Sequence, residues 1–187
     1  MSQAVYWAVA LAEIALAAFR MTDPNTLPSV IQHAVCTLLA NVQDAPITFH
    51  FLLGTALVVI GGFFRRLCFD TLGRFFTFEL AARKGHQLVK TGPYAIVRHP
   101  SYTAAVVQFS GVLILHGSRS SWLRHSGVLN IPGVETVIVA WLLWRAIIVT
   151  SLVCRIDSEE KVLKSMFGDE WQNWAKVVRY RLIPGIY

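Results

Sequence analysis

Two polar clusters carry most of the side chains that could do chemistry in this chain. Residues 85–102 read GHQLVKTGPYAIVRHPSY and bring together His86, Lys90, Tyr94, Arg98, His99 and Tyr102. Residues 155–160 read RIDSEE and offer Arg155, Glu159 and Glu160. A guanidinium such as Arg155 can grip a carboxylate through two parallel N–H bonds. The first cluster cannot be one continuous helix, because Pro93 and Pro100 each lack an N–H and restrict the residue before them. Gly85 and Gly92 permit turns that other residues resist. A polar, turn-rich insert between apolar segments points to a polar ligand bound at a membrane surface.

No Gly or Pro separates the second cluster from the apolar run before it, so a helix is expected to continue through it. Arg155 and Glu159 are then four apart on one face, with Glu160 turned about 100° away. One reading is a surface ion pair worth a few tenths of a kcal/mol. That pairing prefers Glu on the N-terminal side, and here the order is reversed. The reversal favours two separate polar ligands, one for each side chain.

The elements that position these clusters follow from composition. Of 187 residues 55% are apolar and only 15% charged, with a mean hydropathy of +0.50. Soluble domains carry about 25% charged residues, so the balance points to the bilayer. The net charge of +6 clusters beside apolar runs, as cytosolic flanks of membrane proteins do. That placement excludes a nucleic-acid partner.

Residues 4–19 form a first apolar run without a signal-peptide pattern. Ala4, Ala8 and Ala12 repeat at the spacing of close membrane-helix contacts. Glu13, within that run, is expected to face protein. Residues 27–40 are a weaker segment that could span, re-enter or lie at the interface. Residues 47–64 form a span ending at Arg65-Arg66; residues 101–116 and 132–154 form two more. Residues 65–98 hold seven basic and two acidic side chains, and the tail from Arg155 holds six basic ones. Both polar clusters are therefore expected on the cytosolic face. Arg145 lies inside the last run, where pairing with Glu13 or Glu135 is expected. Phe167, Trp171, Trp174 and Val178 fall at helical spacing, suited to the lipid headgroup level or to packing on the bundle.

Cys36, Cys68 and Cys154 form no CxxC pair, and His33, His50, His116 and His125 are scattered. They give no metal-ligand spacing and read as structural.

Together HQLVKTGPYAIVRHPSY, RIDSEEKVLKSMFGDEW and RLIPGIY closely resemble the isoprenylcysteine carboxyl methyltransferase family. The resemblance covers roughly residues 76–187; the first 75 show only apolar spans. It implies an integral enzyme of the endoplasmic reticulum, with its active site facing the cytosol. It implies methylation of the C-terminal carboxylate of prenylated cysteine in CaaX-processed proteins, with S-adenosylmethionine as cofactor. The partners are then a prenylated protein C-terminus or prenylcysteine lipid, within membrane lipid. Carried over by position, it implies a cofactor site from His86, Gln87, Leu88, Val89, Tyr94, His99, Pro100, Ser101, Tyr102 and Glu159. Glu79 stands where relatives carry an amide that touches the cofactor. Arg155 is implied as the residue contacting the substrate carboxylate, and no metal is implied.

Two departures stand out. Ala104 replaces a usual glycine, which puts close helix approach in question, and Trp171 and Trp174 replace two tyrosines. The expected architecture is an all-α, polytopic helix bundle with four to five membrane segments. Its cytosolic-face cofactor site would be built from loops and helix ends. Residues 1–75 supply N-terminal membrane helices and 76–187 the methyltransferase core, as one integrated domain.

Beside that likeness stands the chemistry itself. A C-terminal carboxylate, with a pKa near 3.5, is already ionised at neutral pH and needs no general base. Glu159 suits the cofactor ammonium, Arg98 or His99 its carboxylate, and Tyr94 or Tyr102 its adenine. No Rossmann fingerprint is present. A phospholipid or small-amine N-methyltransferase is the alternative enzyme; it wants a base, for which Glu160 is the nearby spare. A non-catalytic lipid-binding scaffold is the alternative outside enzymology.

Overall fold

The computed structural model describes residues 47–73, 87–118, 121–125, 128–130 and 132–187. The expectations for residues 4–19 and 27–40, Glu13, His33, Cys36, Glu79 and His86 lie outside the described residues. The rest is helical, with no strand among the described residues. Helix α1 runs Phe49–Leu72, α2 Pro100–Gly117, the short α3 Trp122–His125, α4 Val134–Cys154, α5 Ile156–Phe167 and α6 Asp169–Val177.

Helix α1 starts where Thr48 accepts the Phe51 N–H through its hydroxyl, which satisfies one of the unpaired first-turn donors. The helix outlasts the apolar span that ends at Arg65-Arg66 and continues to Leu72. Charge ends an apolar run, not a helix, since arginine is a good helix former. Among the described residues two helices are long and apolar enough to cross a membrane: α1, and the continuous rod of α4 and α5. In that rod the apolar part is α4, whereas α5 is amphipathic and charged. The run at 101–116 is helical as α2 but is not among the two.

The core of the bundle is the antiparallel pair α1 and α2, held at very close approach. A Cβ on Gly54 would lie 2.8 Å from the Leu115 backbone N, and one on Gly61 would lie 2.7 Å from the Gln108 N. Ala104 lies in this seam, 4% exposed, with its carbonyl 2.9 Å from the Cβ position of Gly61. The close approach questioned by Ala104 is therefore present, because the partner helix supplies the glycine.

Gly111 sits between Gly54 and Val58, where a Cβ would meet Gly54 O, Leu57 Cβ and Val58 N at 2.8 Å. Gly111→Ala is expected to cost about 1–3 kcal/mol through forced separation of the helices. Gly117→Ala, with nothing within 4 Å of its Cβ, serves as the neutral control. Thermal unfolding of the two variants in detergent checks the difference.

Arg145 and Glu135 cannot pair as expected. Ten positions apart on α4, they are separated by about 15 Å along its axis.

Candidate functional site

Both polar clusters lie at one end of the α1–α2 pair, and the structure joins them. Pro100 occupies the first turn of α2, where its missing N–H costs nothing. Ahead of it, residues Gly92–Ala95 form a 3₁₀ turn that buries Pro93 and Tyr94. Arg98 and His99 are fixed by backbone bonds from the C-terminal segment. The Arg98 N–H donates to Tyr180 O and the His99 N–H to Arg181 O, both at 2.9 Å. The Thr103 hydroxyl donates to Leu182 O at 2.7 Å. Residues 178–182 thus strap the start of α2.

From the other side comes α5. Tyr102 donates its hydroxyl to Glu159 Oε2 at 2.5 Å, across 57 positions of sequence. Glu160, 6% exposed, is the hub of a second network. Its Oε1 lies 3.1 Å from Arg98 Nη1 and 3.4 Å from His99 Nε2, and its Oε2 lies 3.0 Å from Arg181 Nη2. Arg181 also reaches Asp157 Oδ1 and donates to the Tyr187 hydroxyl, both at 2.9 Å. The His99 and Tyr102 rings stack at 5.4 Å, linking the two networks.

Burial works to raise the Glu160 carboxyl. The His99 bond and the charges of Arg98 and Arg181 outweigh it and hold the group below the ordinary carboxylate range. It stands as a carboxylate saturated with cationic donors. Burial drives the Tyr94 and Tyr102 hydroxyls well above the usual phenol range, and for Tyr102 the bond to Glu159 adds to the rise. Both are neutral hydroxyls at any physiological pH.

Arg155 stands at the junction of α4 and α5, in helical backbone conformation. Its Nε approaches Glu159 Oε2 only to 3.9 Å, too long for a hydrogen bond. Glu159 therefore directs its short contact to Tyr102, not along its own helix. Arg155 is also the first residue past the apolar α4, whose Leu143 and Ile147 are 60% and 61% exposed.

The residues expected to form one cofactor site fall into two groups. Gln87, Leu88 and Val89 line an open cleft of about 820 Å³, closed by the end of α1, Phe167 and Glu170. Lys90 reaches across to Glu170 at 2.6 Å. His99, Pro100, Ser101, Tyr102 and Glu159 belong instead to the bonded junction of α2 and α5. Tyr94 is buried beside this second group, close enough to feel the charge of Glu159. Arg98 and His99, expected to be available for a cofactor carboxylate, are engaged by Glu160. Tyr102, expected to be available for adenine, is engaged by His99 and Glu159.

Helix α6 decides between the two uses of its aromatic stripe. Gly168, at φ 51°, turns the chain between α5 and α6, a conformation that side chains resist. Trp171, Trp174 and Val178 are then buried against Leu88, Leu163 and Phe167. Their indole N–H groups have no hydrogen-bond partner among the described residues, so they act here through packing. Their contact with Leu88 backs one wall of the cleft.

Sequence reasoning missed Arg65 and Arg181. Arg65, on α1, donates from Nη1 to Ser101 O at 3.0 Å, although in sequence it reads only as a basic flank. Arg181 stands in RLIPGIY, a motif noted without a role. Among the described residues no His, Cys, Asp or Glu group could hold a metal ion.

The isoprenylcysteine carboxyl methyltransferase (ICMT) family profile matches residues 53–165. A probable protein-S-isoprenylcysteine O-methyltransferase of Oryza sativa subsp. indica is 31% identical over 128 residues, 67% of this chain and 57% of the relative. Protein-S-isoprenylcysteine O-methyltransferase B of Arabidopsis thaliana is 31% identical over 127 residues, 67% of this chain and 55% of the relative. The Schizosaccharomyces pombe protein-S-isoprenylcysteine O-methyltransferase is 30% identical over 121 residues, 64% of this chain and 43% of the relative. The chain thus spans little more than half the length of the plant relatives it matches. No solved structure matches it.

Proposed function

The chain belongs to the isoprenylcysteine carboxyl methyltransferase family, and on that premise we propose that it methylates the C-terminal carboxylate of prenylated cysteine. The methyl donor is S-adenosylmethionine, which brings an electrophilic methyl group on a sulfonium. One observation carries the reading. Tyr102 bonds Glu159 one helical turn from Arg155, so the two family motifs close over a guanidinium at the end of an apolar helix.

The residues present fit such a donor. The cleft volume of about 820 Å³ falls in the usual range for small-molecule sites, about 300–1,000 Å³. Residues 87–90 lie outside any helix, so their backbone groups are not committed to a helical ladder. Gln87, Leu88 and Val89 would hold the donor in the cleft, with Tyr94 at its inner side. Glu159, oriented by Tyr102, would hold its ammonium. His99, Pro100, Ser101 and Tyr102 keep that carboxylate in place. His86 and Glu79 complete the proposed set.

Arg155 would grip the substrate carboxylate in bidentate fashion and hold one oxygen in line with the methyl group. The nucleophile is already ionised, so no proton needs to move. Ile147 and Leu143, about two and three turns before Arg155 on α4, give a prenyl chain an apolar surface leading to that grip. A carboxylate head with a lipid tail suits this boundary.

Glu160 weighs against an amine substrate. An amine must lose a proton before attack, and the spare carboxylate for that task is already held by two arginines and a histidine. We place the protein in the endoplasmic reticulum membrane, with four to five membrane segments and the site facing the cytosol. Residues 1–75 supply membrane helices to the core at 76–187, in one integrated domain.

The test is incubation of the purified chain with labelled S-adenosylmethionine and either a farnesylcysteine analogue or phosphatidylethanolamine. Base-labile methyl ester on the carboxylate of the farnesylcysteine analogue is the expected product. Label on the lipid amine alone would overturn the substrate assignment, and no transfer to either would favour a scaffold.

A further inference from the structure

We propose that Arg65, on the membrane-crossing helix α1, is a positioning residue for methyl-donor binding, holding the first turn of α2 so that Tyr102 presents its hydroxyl to Glu159. The inference deepens the function proposed above and rests on it.

Arg65 is placed by helix register. The close contacts of α1 and α2 descend in antiparallel order, Gly54 against Leu115 and Gly111, then Gly61 against Gln108 and Ala104. One turn beyond Gly61, the same ladder brings Arg65 to Ser101, whose carbonyl accepts its Nη1 at 3.0 Å. Glycine seams this tight leave little freedom to slide, so the register delivers the guanidinium to that carbonyl.

Three features separate Arg65 from an ordinary basic flank. Its neighbour Arg66 is such a flank, with a side chain 78% exposed and paired to Asp70 on the same helix. Arg65 instead turns inward, and Phe69, one turn on, lies 5.1 Å beneath its guanidinium and limits its rotation. Its charge also acts on Tyr94 and Tyr102, opposing the rise that burial imposes on both hydroxyls. Arg98 and Arg181 face Glu160 instead. Arg65 and Arg155 are the cations whose charge acts on Tyr102.

The consequence runs through one bond path. Ser101 precedes Tyr102 in the first turn of α2, and a carbonyl there can accept a second donor beside its helical one. Fixing that carbonyl fixes where the Tyr102 side chain leaves the helix. Tyr102 in turn fixes Glu159, the carboxylate assigned to the donor ammonium.

The test compares Arg65→Met, which keeps bulk but no donor, with Arg65→Lys, which keeps a cationic donor, in the full chain. S-adenosylmethionine affinity is read by titration calorimetry, and KM is read separately for the donor and for a farnesylcysteine analogue. Arg65→Met is expected to weaken donor affinity about tenfold, with KM for the prenyl substrate within about twofold. Arg65→Lys should recover donor affinity to within about threefold of the parent, and Arg66→Met should change neither constant. Arg65→Leu replaces the Met variant if that one does not fold.

Unchanged donor affinity in the variant overturns the inference, as does an equal rise in both KM values, the mark of general loosening. Failure of the parent chain to bind S-adenosylmethionine overturns the methyltransferase reading itself. A parent that binds the donor but methylates only lipid amine overturns the substrate assignment alone, and the Arg65 comparison still decides.

Discussion

Arg155→Ala is expected to abolish carboxyl methylation, lowering kcat by at least about 10²-fold, while S-adenosylmethionine affinity stays within about threefold of the parent. The separation follows from where Arg155 stands. It lies at the junction of the apolar α4 and the polar α5, where the proposed lipid-tailed carboxylate would meet protein. Its own contact with Glu159 is a loose 3.9 Å, so removing it leaves the Tyr102–Glu159 bond in place. Loss of the guanidinium removes the charge and fork geometry that hold the attacking oxygen. Arg155→Lys restores the charge but not the fork and should recover only part of the rate. Single-turnover rates and equilibrium donor binding on the same preparations check the split. An equal loss of donor affinity in Arg155→Ala would contradict it.

The second large effect is on stability. Glu160→Ala leaves Arg98 and Arg181, with side chains 13% and 27% exposed, facing each other without their shared carboxylate. Breaking a buried ion pair from one side costs about 3–5 kcal/mol, and the partial exposure of Arg181 places the expected value near the lower figure. The same change frees the C-terminal strap from α5, so donor binding should weaken with stability. Thermal unfolding in detergent, against the isosteric Glu160→Gln, measures the cost. A midpoint shift no larger than that of an exposed pair such as Arg66–Asp70 would show that the hub is idle.

The pH dependence has a definite sign. The Glu160 carboxyl is held below its ordinary value of 4.5 in the folded chain. Its contribution is therefore fully present above about pH 4.5 and is lost as pH falls through the lower folded value. Glu160→Gln should remove that acid-side component and leave the neutral range flat.

Several features were legible in sequence because they depend on local chemistry. Hydrophobic runs placed α2 and α4 within two residues of their observed ends, since a lipid-facing or closely packed helix must be apolar along most of its length. The spacing of Phe167, Trp171, Trp174 and Val178 marked an apolar helical stripe, and only the fold decided that it packs on the bundle. Where α1 ends as a helix was not legible, because the arginines that close its apolar run do not close its hydrogen-bond ladder.

The sequence by itself determined which side chains were present, that the clusters flank apolar segments, and that Arg155 and Glu159 share a helical face. Those properties follow from residue type and the 3.6-residue period, which act over a few positions. Only the tertiary structure decided which groups are engaged. Glu160 is held by Arg98, His99 and Arg181, Glu159 turns to Tyr102, and Arg65 reaches Ser101 across the glycine seam. Each of those choices depends on chain segments between 21 and 62 positions apart, where helix register and burial, rather than local spacing, set which partner is within reach.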